Sequence, residues 1–185
     1  MSPKLVQFVV LSAAVVLLDQ ASKLWVVAHV EQGSGFIEVI PGFFHIVHVQ
    51  NAGAAGGLLG DYTHRMWVFL AFTLVAVGVL VSMVRELPRN ERVMSTALAL
   101  IMGGAIGNAI DRLHKQSVTD FLRFFTEDPR LTGWLRSTLG VAEYPSFNIA
   151  DAAIVVGVLG YLILYLLGYG ALAEDGERPA AESDP

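Results

Sequence analysis

The stretch FNIADAAIVVGVLGYLILYLLG, Phe147–Gly168, decides the fold class. From Ala152 to Leu172 no charged side chain interrupts the chain, and roughly 20 apolar residues are what a helix needs to cross a hydrocarbon core. Yet the run opens on Asn148 and, three residues later, Asp151. Asn148 is a good helix cap, and an acid at the third helical position completes a capping box and complements the helix dipole. Capping alone accounts for Asp151; a catalytic role needs a second carboxylate.

Working outward, three more runs have the length of a membrane span: about Leu5–Val30, Met66–Val84 and Val93–Ile110. The composition agrees, with 54% of the 185 residues hydrophobic and 16% charged, against about 25% charged in soluble domains. The first run is too long for a signal-peptide core and has no small-x-small exit, so it reads as a retained span. The expected fold is therefore a membrane all-α bundle of four transmembrane helices with a small β-hairpin or cradle and an interfacial segment. It forms a single unit over residues 1–172. The net charge of −5 comes mostly from the end, AEDGERPAAESDP, so residues 173–185 read as a disordered acidic tail.

The connections differ in kind. RELPRNER, Arg85–Arg92, is a tight polar turn. In Glu31–Arg65, FIEVI and FFHIVHV flank Pro41-Gly42 and suggest a hairpin. Asp111–Ala150 mixes Phe124, Phe125 and Trp134 with charges, as suits a segment lying on the membrane surface. Arg85, Arg89, Arg92 and Lys4 assign both termini to the cytoplasm by the positive-inside rule. The arginines and lysine of the Asp111–Ala150 segment pull the other way.

Charges near a bilayer centre cost about 2.5–3.5 kcal/mol on insertion scales and persist when paired or functional. Asp19 and Lys23 stand at i and i+4 on one helical face, either as a self-neutralising pair or as support for a site. Ser22 points about 100° away from Lys23, a poor start for a serine–lysine protease. Gly103 and Gly107 permit close helix approach. Asn108, Asp111 and Arg112 follow on one face; Asp111 alone reads as an interface pair with Arg112, whereas Asn108 and Arg112 suit holding a backbone or carboxylate. Asp120, in SVTDFLRFF, sits where the alternation settles neither strand nor helix, and a lone interfacial aspartate is usually solvated.

Cysteine is absent, which excludes disulfides, thiolate metal sites and a cysteine nucleophile. The histidines lack zinc spacing, and no phosphate or dinucleotide loop is present, so neither metal nor cofactor is expected. There is no basic patch for nucleic acid. Two aspartates meeting at one membrane face would share a proton and hydrolyse a peptide bond through water.

Five stretches in order, DQASK (Asp19–Lys23), NAGAA (Asn51–Ala55), GNAIDR (Gly107–Arg112), VTDF (Val118–Phe121) and FNIAD (Phe147–Asp151), resemble the lipoprotein signal peptidases, or signal peptidase II. The resemblance implies an aspartyl endopeptidase of the bacterial cytoplasmic (inner) membrane with its site on the extracytoplasmic face. It would cut diacylglyceryl-modified prolipoproteins before the lipidated cysteine. It implies Asp120 and Asp151 as the catalytic pair, with Asn51, Gly53, Asn108, Arg112 and Asn148 shaping the site and Asp19 and Lys23 supporting it. It also implies contact with membrane lipid, inhibition by globomycin-type peptides and a monomer. Two features depart from the family: Gly56 stands where a bulky aromatic is usual, and the segment from about Arg123 to Pro145 is long. A non-catalytic lipoprotein- or lipid-binding relative and a small transporter with a polar pathway remain as alternatives.

Overall fold

The computed structural model describes residues 2–53, 65–140 and 143–169; Gly56 and the acidic tail lie outside them. Eight elements follow in chain order: α1 (Pro3–His29), β1 (Phe36–Ile40), β2 (Phe44–Asn51), α2 (Arg65–Glu86), α3 (Val93–Lys115), β3 (Val118–Phe124), α4 (Pro129–Leu139) and α5 (Ile149–Leu166). Four of these, α1, α2, α3 and α5, are long and apolar enough to cross a membrane. Leu17, Leu18, Leu24, Phe72, Leu74, Val156 and Leu166 face outward on them, an apolar surface suited to acyl chains rather than water.

α3 is the central helix, packed against α1, α2 and α5. Its contact with α2 and α1 is a core of Phe8, Leu80, Val84, Leu98, Ala99 and Met102. The buried stripe of α1 (Lys4, Phe8, Ser12, Val15, Asp19, Lys23 and Val26) advances three or four residues at a time. That is the helical period, so the same face that fills the core turns Asp19 and Lys23 inward. At the opposite end, Lys4 Nζ donates to the carbonyls of Arg85, at 3.0 Å, and Leu87. A cation there satisfies acceptors that the end of α2 leaves free. Lys4 and the α2–α3 turn thus mark one end of the bundle; the β-sheet marks the other.

Glycines set the spacing on α3. A methyl on Gly107 would lie 2.7 Å from Asp19 Oδ2, and one on Gly104 would strike the Ala150 carbonyl. The expected small-residue packing of Gly103 and Gly107 thus holds for α1, while Gly104 seats α5. Overpacking costs about 1–3 kcal/mol, so Gly107→Ala should lower the melting temperature in detergent. Gly78→Ala, whose methyl meets nothing within 4 Å, should not lower it, since alanine is the better helix former.

The sheet has order β1-β2-β3. The expected hairpin forms, with Gly42 at φ 68° in its turn, a conformation glycine adopts at little cost. β3 resolves the ambiguity of the Asp120 segment as strand: Val49 pairs with Asp120 and Asn51 with Val118. Its other edge is met by Phe147, whose N–H donates to Leu122 O at 3.1 Å and whose carbonyl accepts from Leu122 N at 2.8 Å. That bridge brings the start of α5 beside β3. α3 also runs on past the expected Ile110 to Lys115, carrying Asp111 and Arg112 on helix.

Candidate active site

α5 starts with a full capping box. Asn148 Oδ1 accepts from Asp151 N at 3.0 Å, and Asp151 Oδ2 accepts from Asn148 N at 3.2 Å. The next orphan donor, Ala150 N, finds Asp19 Oδ1 of α1 at 3.0 Å. Asp151 is therefore held by its own helix start, and that start is held by the first span.

The other arm of Asn148 reaches across the site. Its Nδ2 donates to Asp120 Oδ1 at 2.8 Å and to Asn108 Oδ1 at 3.2 Å. Asn108 Nδ2 donates to Asp151 Oδ1 at 2.7 Å. Asn51 Nδ2 donates to Asp120 Oδ2 at 2.9 Å, from the diagonal position on the neighbouring strand. Gly53 N donates to Asn51 Oδ1 at 3.1 Å and so orients that amide. Asn148 thus bonds to both carboxylates, and both line one cleft of about 370 Å³ with Asn51, Gly53, Asn108 and Arg112.

Asp120 is 2% exposed, against the expectation of a solvated interfacial carboxylate. Burial pushes its pKa up from the ordinary 3.8 to about 6. The negative charge of Asp151 adds to the rise, while the hydrogen bonds from Asn51 and Asn148 and the charge of Lys23 oppose it.

Beneath the cleft lies a charged layer. Lys23 Nζ is 2.9 Å from Asp19 Oδ2 and 3.3 Å from Asp111 Oδ2, and it donates to Asn108 Oδ1 at 3.1 Å. Lys115 Nζ reaches Asp111 Oδ1 at 3.5 Å. Two aspartates thus face two lysines, and the ammonium of Lys23 fixes the oxygen of Asn108, leaving its NH2 for Asp151. Ser22 Oγ donates instead to Asp19 O at 2.8 Å and takes no part.

Asp111 corrects the sequence reading. Its carboxylate faces the two lysines rather than Arg112, and Oδ2 accepts from Thr119 N at 3.0 Å, directly before Asp120. The i, i+4 spacing of Asp111 and Lys115 was the available signal. Arg112 contacts neither acid through a hydrogen bond. Its guanidinium lies over the Phe69 ring, 4.6 Å from the centroid, and donates to Asn108 O at 3.4 Å. It lines the cleft and brings a positive charge to it. Phe69 carried no sequence signal, because it is one aromatic among many apolar residues on α2.

Fold and cleft together define an integral membrane protein that presents two aspartates, bridged by hydrogen bonds through Asn148, at one end of its helix bundle. The family model for signal peptidase (SPase) II matches residues 11–167. Lipoprotein signal peptidases of Nitratidesulfovibrio vulgaris (strain DP4) and Bacillus pumilus (strain SAFR-032) are 39% and 36% identical over 158 and 160 residues. These matches cover 84% and 86% of this chain and 87% and 92% of the relatives. Two bacterial membrane enzymes solved by the in meso method, at 2.3 Å and 1.9 Å, superpose with TM-scores of 0.71 and 0.70 at 27% and 30% identity. They cover 94% and 86% of this chain, and 93% and 92% of their own chains are matched. The chain belongs to the signal peptidase II family, and it is a peptidase of a bacterial membrane.

Proposed function

We propose that this peptidase is of the aspartic type, that Asp120 and Asp151 are its acid–base pair, and that it removes signal peptides from diacylglyceryl-modified prolipoproteins before the lipidated cysteine. One observation carries the reading: a single asparagine, Asn148, bonds both carboxylates at the wall of one cleft.

The pair works with one proton between them. The ionised carboxylate takes a proton from water as its oxygen adds to the scissile carbonyl carbon. The protonated carboxyl gives its proton to the carbonyl oxygen, which yields a neutral gem-diol. The carboxyl that took the water proton then gives it to the amide nitrogen, and the other carboxylate takes a proton from a gem-diol hydroxyl. The C–N bond breaks to give acid and amine, and the pair regains its starting state. Asn51, Asn108 and Asn148 hold the carboxylates at fixed angles, Lys23 and Asp111 fix the asparagine and strand beneath them, and Arg112 offers a cation to the peptide or lipid ester groups. No cofactor enters the scheme.

The site lies at the ends of apolar helices long enough to cross a membrane, which would let the acyl chains of a lipidated substrate stay in the bilayer while its peptide enters the cleft. Arg130 and Arg136 beside Leu131 and Trp134 on α4 suit contact with lipid headgroups. With Lys4 and the arginine-rich turn at the cytoplasmic end, the cleft faces the extracytoplasmic side, within the single unit 1–172. A monomer contains every group named, and a globomycin-type peptide would compete for the same cleft. The transporter alternative finds no support: between the cleft and Lys4 the described interior is filled by Phe8, Leu80, Val84, Leu98 and Met102. Two carboxylates in hydrogen-bonded place also speak against a binding-only relative.

The pH dependence tests the chemistry. Asp120 has its pKa raised to about 6, so above that pH the pair loses its shared proton. The value of kcat/KM for a prolipoprotein in detergent should then fall about tenfold per pH unit well above pH 6. A rate that climbs from pH 6 to pH 9, as a lysine or serine–lysine base would give, contradicts the proposal.

A further inference from the structure

The cleft has two unlike walls. One carries the carboxylates, amides and the guanidinium described above. The other is Tyr144, Pro145, Ser146 and Phe147, which bears no charge. Tyr144 is the exposed part of that wall: 62% of it is open, and its ring stands edge-on to Phe147 at 5.6 Å and 90°. Phe147 is itself fixed by the bridge to Leu122 and stacks on Phe124 at 5.9 Å. Tyr144 is thus an exposed aromatic that lines the cleft and rests against Phe147.

The backbone beside Tyr144 is tied down separately. Glu143 Oε2 accepts from Arg123 Nη2 at 2.8 Å and from Nε at 3.2 Å, a two-pronged contact that an arginine makes well. Arg123 also lies 5.4 Å from the Phe125 ring centroid. Its strand, β3, carries Asp120 three residues earlier. The clasp therefore fixes the distance between Tyr144 and the acids, through a route that uses none of the site's amides.

We propose that Tyr144 is a specificity-determining residue of this peptidase, packing an aliphatic group of the substrate next to the scissile bond, and that the Arg123–Glu143 pair positions it. The inference rests on the aspartic peptidase reading. A peptide lying between the two walls turns its scissile carbonyl toward the carboxylates and an adjacent side chain onto the ring. The ring makes its contact in the bound substrate and transition state alike, so it acts on KM and leaves kcat alone. The clasp is half-exposed, with side chains 39% and 48% open, so salt weakens it.

The test uses the full chain in detergent and a set of diacylglyceryl-modified prolipoprotein reporters, in which each residue just before the cut is in turn leucine or serine while the lipidated cysteine after it is kept. Wild type should show at least one position where serine raises KM about tenfold, the scale of one lost aromatic–aliphatic contact. Tyr144→Ala should raise KM for the leucine reporter about tenfold, abolish that preference and keep kcat within about twofold. Tyr144→Phe should behave as wild type. Glu143→Gln should raise KM about threefold and remove its dependence on salt. Circular dichroism confirms that each variant is folded, as the exposure of Tyr144 leads one to expect. An active wild type with an unchanged preference in Tyr144→Ala overturns the inference and spares the peptidase reading, as does a loss confined to kcat. A wild type inert on every reporter overturns both.

Discussion

Asp151→Asn and Asp120→Asn should each fold and each cut a prolipoprotein about 10²–10⁴-fold more slowly than wild type, the usual size of an acid–base contribution. Asparagine keeps the shape of aspartate, and at 151 its oxygen can still accept from Asn148 N, so the start of α5 survives. What it removes is the ability to pass a proton. Asp120→Asn carries a second signature. In the folded protein the Asp120 carboxyl has its pKa raised from 3.8 to about 6. The unfolded chain therefore loses this proton first, and stability falls as the pH rises from about 4 to about 6. Replacing the carboxyl removes that loss. One of the two amides facing it, Asn51 or Asn148, must turn, which trims the gain. Asp120→Asn should still be more stable than wild type at pH 7, by about 1–2 kcal/mol, with the gap closing near pH 4. An inactive variant that is more stable than its parent marks a residue kept for chemistry. A variant that cleaves at the wild-type rate contradicts the assignment.

Lys23→Met is the largest expected effect on stability. Lys23 is 1% exposed and lies between the carboxylates of Asp19 and Asp111, themselves 0% and 1% exposed. Removing it leaves two buried acids, with Lys115 at 3.5 Å from Asp111 as the remaining ion-pair partner among the described residues. Breaking a buried ion pair by deleting one partner costs about 3–5 kcal/mol, so the melting temperature in detergent should drop by about 10 °C. Activity should fall as well, since Asn108 loses the donor that fixes its oxygen. The double change Lys23→Met with Asp19→Asn should recover part of the stability, because it removes one of the stranded charges. Recovery distinguishes a charge effect from the loss of a long side chain. Unchanged melting of Lys23→Met contradicts the picture of a charged layer that supports the cleft.

How much of this was legible beforehand depends on how local each cause is. The spans were, because a run of apolar residues needs no partner to be recognised. So was the capping box, whose two members lie three residues apart. The Pro41-Gly42 hairpin was legible for the same reason. β3 was not: VTDF alternates without a decisive pattern, and it becomes strand through β2 on one edge and Phe147 on the other. The sequence pairs Asp111 with adjacent Arg112, whereas Lys23, 3.3 Å from it, comes from another helix. The capping of Ala150 by Asp19, 131 residues away, has no local trace at all. Asp120 shows the limit most clearly, since a lone aspartate in an interfacial segment is ordinarily solvated, and its burial is made by three elements meeting. Resemblance to a family supplied the residues; the fold supplies the reason they converge.

The central claim is that two aspartates, joined through Asn148, cut the peptide bond before a lipidated cysteine. Mass spectrometry of one diacylglyceryl-modified prolipoprotein, incubated in detergent with the purified wild type, Asp120→Asn and Asp151→Asn, tests it most directly. The predicted result is a free signal peptide and a product beginning at the lipidated cysteine with wild type, and intact substrate with both variants. The same pair of products from either variant, or a wild-type cut at another bond, would contradict it.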